Sequence, residues 1–283
     1  MTDLKKIIWL ASYPKSGNTW FRVFITALLN NGIVNINDLK TNAIFSSRTI
    51  FNSNTDIDSS YLYDEEAKII LPNLYRQLAI ESKEQLLIKI HDAFMYNQSG
   101  LPIIPEDVSF CAIYIIRNPL DIAGSLANHL NSNLDRAINF ICKKDACFSP
   151  QKNNFNTNQQ IKQFISDWST HIQSWTTIPN FPVHVVRYED MIINPFNTFK
   201  EILLKIGWLE FDDLQIKRAI DASSFSALQS QEKKVGFIEK PSPSVPLFYR
   251  KGGINNWQEE LTDTQAKLII DFHRLTMIKY DYL

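Results

Sequence analysis

Four short and almost uninterrupted apolar runs limit the folds open to this chain more than any other feature of its sequence. They are Ile7 to Ala11, Leu86 to Ile90, Phe110 to Ile116 and Val183 to Val186. A strand with one wet face alternates apolar and polar residues, whereas a strand covered on both faces is apolar nearly throughout. The runs therefore predict a buried parallel sheet.

Helical spacing of apolar residues fills much of the sequence between the runs. It is clearest in Thr19 to Leu29, Gln160 to Trp175 and Pro195 to Ile206, where Pro195 suits a first helical turn. Strands that alternate with helices are typical of βαβ units. The pattern thus predicts an α/β fold with a central parallel sheet flanked by helices.

Three irregular stretches, 31–60, 142–159 and 229–249, are rich in Asn, Ser or Pro, and we expect loops or lids there. None is long or biased enough to link two domains. Hydrophobic residues make up 45% of the 283 residues, enough for a large core. We therefore expect one domain spanning residues 1–283.

The overall charge argues against two classes of partner. The formal net charge is −1, so the chain lacks the basic field that draws proteins onto nucleic acid or anionic lipid. The longest apolar runs are also too short for a membrane span of about 20 residues, and the run at Ile7 is too short for a signal peptide. We expect neither a nucleic-acid nor a membrane partner.

The three cysteines, Cys111, Cys142 and Cys147, match neither a disulfide framework nor a zinc site. This favours a reducing compartment, and we expect a cytoplasmic protein.

The first apolar run leads directly into a short polar loop, after which helical spacing begins. Strand, tight loop and helix together form a phosphate-binding geometry, because loop N–H groups and the helix dipole favour an anion at one point. The donors in the loop are Lys15, Ser16, Asn18 and Thr19. It is not a Walker A loop, since Lys15 precedes Gly17 instead of following a glycine at the helix start.

The segment from Tyr13 to Trp20 closely resembles the phosphosulfate-binding loop of sulfotransferases, Tyr-Pro-Lys-Ser-Gly-Thr-Thr-Trp, and departs from it at Asn18 alone. Four later segments resemble motifs of the cytosolic, small-molecule branch in the same chain order. They are Lys89 to Asp92 (Lys-Thr-His in the family), Arg117 to Ser125 (Arg-Asn-Pro-x-Asp-x-x-x-Ser), Tyr188 to Met191 (Tyr-Glu-Asp-Met) and Arg250 to Trp257 (Arg-Lys-Gly-x-x-x-x-Trp).

The resemblance implies a co-substrate, 3′-phosphoadenosine-5′-phosphosulfate (PAPS), and a role for each matched residue. The 5′ end of the donor would lie on the loop of Lys15, Ser16, Gly17, Asn18 and Thr19. The 3′-phosphate would be held by Arg117 and Ser125, with Arg250, Lys251 and Gly252 closing over it. The adenine would stack on Trp20 and Phe225 and meet Tyr188 and Ser223 at its edge.

The catalytic residues implied are Lys15, Lys89 and His91. His91 would accept the proton of the attacking hydroxyl or amine while Lys15 offsets charge on the departing oxygen, in one in-line transfer without a metal. Among the histidines, His91 alone directly follows a strand and lies in a family motif. Asp92 stands where the family has leucine, and it either orients His91 or touches the acceptor.

Several residues keep a structural interpretation beside the functional one. Trp20 and Phe225 can serve as core aromatics, and for Glu189 and Asp190 we favour a structural role. The other histidines, including His171, are expected to be structural.

Two other functions stay open at this stage: a P-loop nucleotide kinase, and a catalytically silent nucleotide-binding module. The acceptor is expected to be a small molecule, with a secondary metabolite of a bacterium as one candidate. The family's C-terminal dimerisation motif is not evident after Thr262, so the oligomeric state is left undetermined.

Overall fold

The computed structural model describes residues 5–41, 44–149, 159–240 and 247–283. Its strands are β1 Ile7–Ser12, β2 Leu86–Ile90, β3 Ser109–Ile116, β4 Cys147–Phe148, β5 Gln163–Phe164 and β6 Val183–Arg187. Its helices are α1 Asn18–Leu29, α2 Arg48–Thr55, α3 Asp64–Glu81, α4 Pro119–His129, α5 Leu134–Ile141, α6 Trp168–Thr177, α7 Tyr188–Ile193, α8 Pro195–Lys205, α9 Asp213–Ala222, α10 Phe225–Val235, α11 Trp257–Glu260 and α12 Asp263–Lys279, with a 3-10 turn at Ser59–Tyr61.

The four apolar runs form the four strands of the main sheet, whose order is β2-β1-β3-β6. Strands β1 and β2 run parallel, with Ile7 opposite Leu86 and Ala11 opposite Ile90. All residues of β1 are buried, as expected for a strand covered on both faces. The prediction of an α/β fold on a central parallel sheet is confirmed.

The chain folds into two compact units, each built from three separate segments. The first comprises Met1–Tyr13, Asn42–Tyr114 and Lys144–Val185, and it contains β1, β2 and α6. The second comprises Pro14–Thr41, Ile115–Lys143 and Val186–Leu283, and it contains α1, α4 and the helices after β6. The expectation of one domain over residues 1–283 stays a prediction.

One predicted helix begins later than its apolar spacing indicates. Within Gln160 to Trp175, only the part from Trp168 onward is helical, in α6. Asp167 caps that helix, because its side chain accepts the Thr170 N–H, and this fixes the start. The residues before the cap include β5, which pairs antiparallel with β4.

Two of the stretches expected to be loops contain helices. Helix α2 lies within 31–60, and α10 extends into 229–249. In the stretch 142–159, residues 147–148 form β4, whereas residues 150–158 lie outside the described part of the chain. Among the described residues, no helix is both long and apolar enough to cross a membrane.

Candidate active site

The loop between β1 and α1 has a backbone conformation that side chains rarely adopt. Lys15 has φ 71° and Gly17 has φ 106°, both in the left-handed region. A Cβ added at Gly17 would lie 2.5 Å from Cδ2 of Tyr188. Glycine is therefore required at residue 17 for its backbone angle and for the close approach of Tyr188.

The amino end of α1 has hydrogen-bond donors that could bind an anion. Gly17 is the N-cap and supplies no side-chain acceptor to the first helical N–H groups. The Ser16 hydroxyl is buried and has no hydrogen-bond partner among the described residues. Buried hydroxyls normally have a hydrogen-bond partner. An oxyanion at this helix end would accept hydrogen bonds both from the first helical N–H groups and from the Ser16 hydroxyl.

Lys15 and Arg117 lie together in the second unit. The Lys15 ammonium is 4.0 Å from the ring centre of Phe248. Arg117 donates one hydrogen bond to the Lys15 carbonyl at 3.1 Å and one to the Gly253 carbonyl at 3.2 Å. Its guanidinium also lies over the Tyr188 ring, 4.2 Å from the centre. One arginine thus joins the phosphate loop to the loop that contains Arg250 and Lys251.

Glu260 binds the two cations of that second loop. Its carboxylate contacts Arg250 Nη1 at 2.6 Å and Nη2 at 3.0 Å, and Lys251 Nζ at 3.0 Å. Burial raises the pKa of Glu260, but the hydrogen bonds from Arg250 and Lys251 outweigh it and leave the pKa below its usual value. Gly124 makes room for this carboxylate, since an added Cβ there would collide with Glu260.

Asp121 fixes the end of the same loop. Its two carboxylate oxygens accept the backbone N–H groups of Asn255 at 2.8 Å and Trp257 at 3.0 Å. Sequence reasoning missed this role, although Asp121 lies within the motif that begins at Arg117. Ser125 lies on α4, one residue after Gly124.

The residues expected around adenine lie in the second unit, in aromatic surroundings. Trp20 makes edge contacts with Tyr188 and Phe199, each with ring centres 5.7 Å apart. Phe225 packs so closely on Gly252 that a Cβ there would overlap its ring. Ser223 is buried and donates its hydroxyl to the Ile220 carbonyl at 3.2 Å. Stacking of adenine on Trp20 and Phe225 stays a prediction.

Trp20 and Phe225 also have the structural role considered from the sequence. Both pack against a buried cluster formed by Val23, Ile36, Leu228, Phe237 and Tyr249. Glu189 likewise has the structural role expected of it, accepting the Asn118 N–H and the Tyr282 hydroxyl, each at 2.9 Å.

His91 lies in the first unit, directly after β2. Its Nδ1 is 3.0 Å from the Ser12 carbonyl oxygen and 3.3 Å from the Ser12 hydroxyl. A carbonyl only accepts, so this contact assigns the ring proton to Nδ1 and the lone pair to Nε2. Ser12 is a residue that the sequence did not single out.

A buried histidine holds the backbone of His91. His171 donates its Nε2–H to the His91 carbonyl at 3.0 Å and accepts the Tyr114 hydroxyl at Nδ1, at 2.7 Å. Burial lowers the pKa of His171 to about 4, so the ring is neutral near pH 7. The Trp175 indole N–H donates to the Asp92 carbonyl at 2.9 Å. The turn after β2 is therefore fixed at two successive carbonyls.

Lys89 and Asp92 lie on either side of His91 in the chain. Lys89 is on β2, opposite Leu10 of β1. One carboxylate oxygen of Asp92 accepts the Phe164 N–H at 2.9 Å. Burial raises the pKa of Asp92 to about 6, against the opposing effect of Lys68.

The structure thus places the predicted residues in two groups. The second unit contains Lys15 and the residues expected to bind the donor, whereas the first unit contains Lys89 and His91. Among the residues that the structure describes, no group of three or more His, Cys, Asp and Glu side chains is placed to hold a metal ion.

Comparison with known proteins identifies relatives along nearly the whole chain. Cytosolic sulfotransferase 6 of Arabidopsis thaliana is 22% identical over 90% of this chain and 73% of its own length. Sulfotransferase 1B1 of Canis lupus familiaris is 26% identical over 91% of this chain and 79% of its own.

Two solved structures share the fold. A mouse sulfotransferase complexed with PAP has a TM-score of 0.61 at 19% identity and covers 98% of this chain and 86% of its own. Retinol dehydratase in complex with retinol and PAP has a TM-score of 0.62 at 16% identity, covering 96% of this chain and 81% of its own. The family model for the sulfotransferase domain matches residues 5–281, and the chain belongs to that family.

Proposed function

We propose that His91 is the base with which this sulfotransferase transfers a sulfuryl group from PAPS to a hydroxyl or amine of a small molecule. The reaction class follows from membership of the family. The observation that carries the role of His91 is its contact with the Ser12 carbonyl, which leaves the Nε2 lone pair to accept a proton.

The proposed reaction is a single in-line displacement at sulfur. The acceptor oxygen or nitrogen forms a bond to sulfur while the bond from sulfur to the 5′-phosphate oxygen breaks. The acceptor proton passes to Nε2 of His91, and adenosine 3′,5′-bisphosphate (PAP) leaves with the bonding pair. Lys15 and Thr19 stabilise the charge on the departing oxygen. No covalent intermediate with the protein is formed.

The donor's 3′-phosphate is assigned to Arg117 and Ser125, with Arg250 and Lys251. Support comes from the contacts that join these segments: Arg117 binds the Gly253 carbonyl, and Arg250 lies against Gly124, the neighbour of Ser125. An arginine and a hydroxyl suit a phosphate, since the guanidinium donates to two oxygens at once.

We also propose the class of the acceptor and the cellular location of the protein. Related proteins include a flavonol 3-sulfotransferase and a retinol dehydratase with bound retinol, and both names refer to small molecules. A small-molecule acceptor, such as a secondary metabolite, fits these relatives. A cytoplasmic location fits the similarity to Cytosolic sulfotransferase 6 of Arabidopsis thaliana.

Binding of PAP against AMP tests the donor assignment. The two ligands differ by the 3′-phosphate, and loss of two charge-assisted hydrogen bonds lowers affinity about 10²- to 10⁴-fold. We expect calorimetry to show this preference for PAP, and Arg117→Ala to lower PAP affinity much more than AMP affinity and so remove most of the preference. Arg76→Ala is the control, because Arg76 pairs with Asp107 at the surface. Equal affinity for PAP and AMP in the unmodified protein would refute the donor assignment.

A further inference from the structure

A cavity in the first unit lies beside the strand end that leads to His91. The centre of a water-sized sphere can occupy about 20 Å³ of it, and all the space between the lining atoms and the solvent opening amounts to about 390 Å³, so the cavity has room for one small polar group. Its polar lining is formed by Ser46, Lys68, Tyr75, Lys89, Asp92 and Lys162. Lys89 and Asp92 are the residues two before and one after His91, so the cavity lies close in the chain to the proposed base.

The lining of this cavity carries an excess of positive charge. Three lysines face one carboxylate, that of Asp92, and one oxygen of Asp92 already accepts the Phe164 N–H. Lys68 is only 3% exposed, and its ammonium contacts Glu65 at 3.4 Å, which is long for a charged hydrogen bond. A buried ammonium needs close acceptors, so the cavity favours a ligand that supplies them.

A buried hydroxyl at the same cavity points to a ligand independently of charge. The Ser46 side-chain oxygen is shielded from solvent and has no hydrogen-bond partner among the described residues. Most buried polar atoms are satisfied, so an unpaired hydroxyl in a cavity wall indicates a missing partner. An anionic oxygen would accept from Ser46 and from the lysines together.

We propose that this cavity binds a carboxylate on the acceptor, and that the natural acceptor is therefore an acidic molecule bearing a hydroxyl or amine. The inference rests on the proposed function, since it assigns the cavity to the acceptor. The carboxylate contacts Lys68, Lys162 and Ser46, which anchors the molecule at a distance from the group that is sulfated. Lys89 keeps its catalytic assignment.

The test compares three phenols that differ in one group: 4-hydroxybenzoate, 4-hydroxybenzamide and 4-(aminomethyl)phenol. Their binding is measured by ligand-observed NMR titration, with and without PAP. A charge-assisted contact contributes about 10- to 100-fold in affinity, so the carboxylate is expected to bind at least 10-fold more tightly than the amide. Transfer from PAPS to the same phenols gives a second readout.

Lysine variants test whether the carboxylate of the phenol binds in this cavity. Lys68→Met and Lys162→Met are expected to reduce the preference for the carboxylate about 10-fold, whereas Lys83→Met, at an exposed position, leaves it unchanged. Lys162 is only partly buried, so its variant gives an answer even if the Lys68 variant does not fold.

The outcomes separate this inference from the proposed function. Failure to bind PAP contradicts the proposed function alone, because the phenols are also titrated without it. Equal binding of carboxylate and amide, or a preference for the amine, overturns the acidic acceptor. A preference for the carboxylate that persists in both lysine variants places its binding elsewhere and also overturns the inference.

Discussion

At the scale of single residues, a backbone carbonyl decides which nitrogen of His91 can take a proton. The Ser12 carbonyl lies 3.0 Å from Nδ1, and His171 donates a hydrogen bond to the His91 carbonyl. The sequence placed His91 at a strand end within a motif. It did not indicate the tautomer, because the partners come from segments far apart in the chain.

Replacement of His91 tests its role as the base. His91→Ala is expected to lower turnover by about 10²- to 10⁴-fold, the range for a lost general base. PAP affinity should stay unchanged, since the residues assigned to the donor belong to other segments. Single-turnover kinetics and calorimetry measure the two quantities. His184→Ala, at the second residue of β6, is the control, and normal turnover in the His91 variant would mean that another group is the base.

At the scale of elements, the loop before α1 combines an unusual backbone with close packing. Gly17 has a positive φ and touches Tyr188, the first residue of α7. The loop motif was recognisable from the sequence, because its residues are contiguous. The contact with Tyr188 was not, since it depends on a residue distant in the sequence.

Two glycine substitutions separate backbone strain from packing. Gly17 and Gly207 both have positive φ, but an added Cβ meets Tyr188 at residue 17 and nothing within 4 Å at residue 207. Gly207→Ala should cost about 1–2 kcal/mol of stability from the backbone alone. Gly17→Ala should cost about 1–3 kcal/mol more and weaken PAP binding. Denaturant unfolding and calorimetry measure both effects, and equal destabilisation would contradict the importance of the Tyr188 contact.

The loop at Arg250 and the short helix α11 form a second functional element. Glu260, the last residue of α11, occupies the two cations that the proposed function assigns to the 3′-phosphate. The phosphate must therefore compete with this carboxylate for Arg250. The sequence indicated the cations through their motif but gave no sign of their internal partner.

Removal of the Glu260 charge should favour the donor. Glu260→Gln is expected to raise PAP affinity about 3- to 10-fold, because a partly exposed ion pair contributes about 1 kcal/mol. Glu259→Gln is the matched control: Glu259 is 82% exposed and contacts Lys251 at 3.4 Å, so its effect should be smaller than about 2-fold. A fall in affinity for the Glu260 variant would show instead that the carboxylate positions the loop.

At the scale of the whole molecule, the burial of His171 makes stability depend on pH. Its pKa is about 4 in the folded protein against an ordinary 6.5. Between these values the unfolded chain binds a proton at this residue that the folded chain does not, so the contribution of His171 to stability falls by about 3 kcal/mol as pH drops from 6.5 towards 4.

A glutamine at residue 171 isolates this effect. His171→Gln can donate to the His91 carbonyl and accept from Tyr114, but it does not titrate. The variant should lose less stability than the parent between pH 7 and 4 in urea unfolding. Asp92, with a pKa raised to about 6, makes stability rise as the pH falls. This effect is present in both proteins, so it cancels when their pH profiles are compared. Parallel pH profiles would contradict the burial effect.

The sequence predicted the sheet and contained the motifs that the proposed function assigns to the donor, and it did not predict the cavity. Apolar runs and contiguous motifs are local signals, so β1 and the loop at Lys15 could be read directly. Ser46, Lys68 and Lys162 belong to three separate segments, none of which forms a motif. Only folding places them around one space. The predicted start of a helix at Gln160 was wrong for a related reason, because the cap at Asp167 outweighs apolar spacing and the helix begins at Trp168.

The pairing of Arg250 and Lys251 with Glu260 has a consequence for ionic strength. A bare cluster of cations gathers dissolved anions, which a ligand must release, and its affinity then falls steeply with added salt. Here a carboxylate of the chain already serves as the counter-ion. Exchange of that carboxylate for a phosphate releases few dissolved ions from this part of the site. Donor binding should therefore tolerate salt better than the high charge of PAPS suggests.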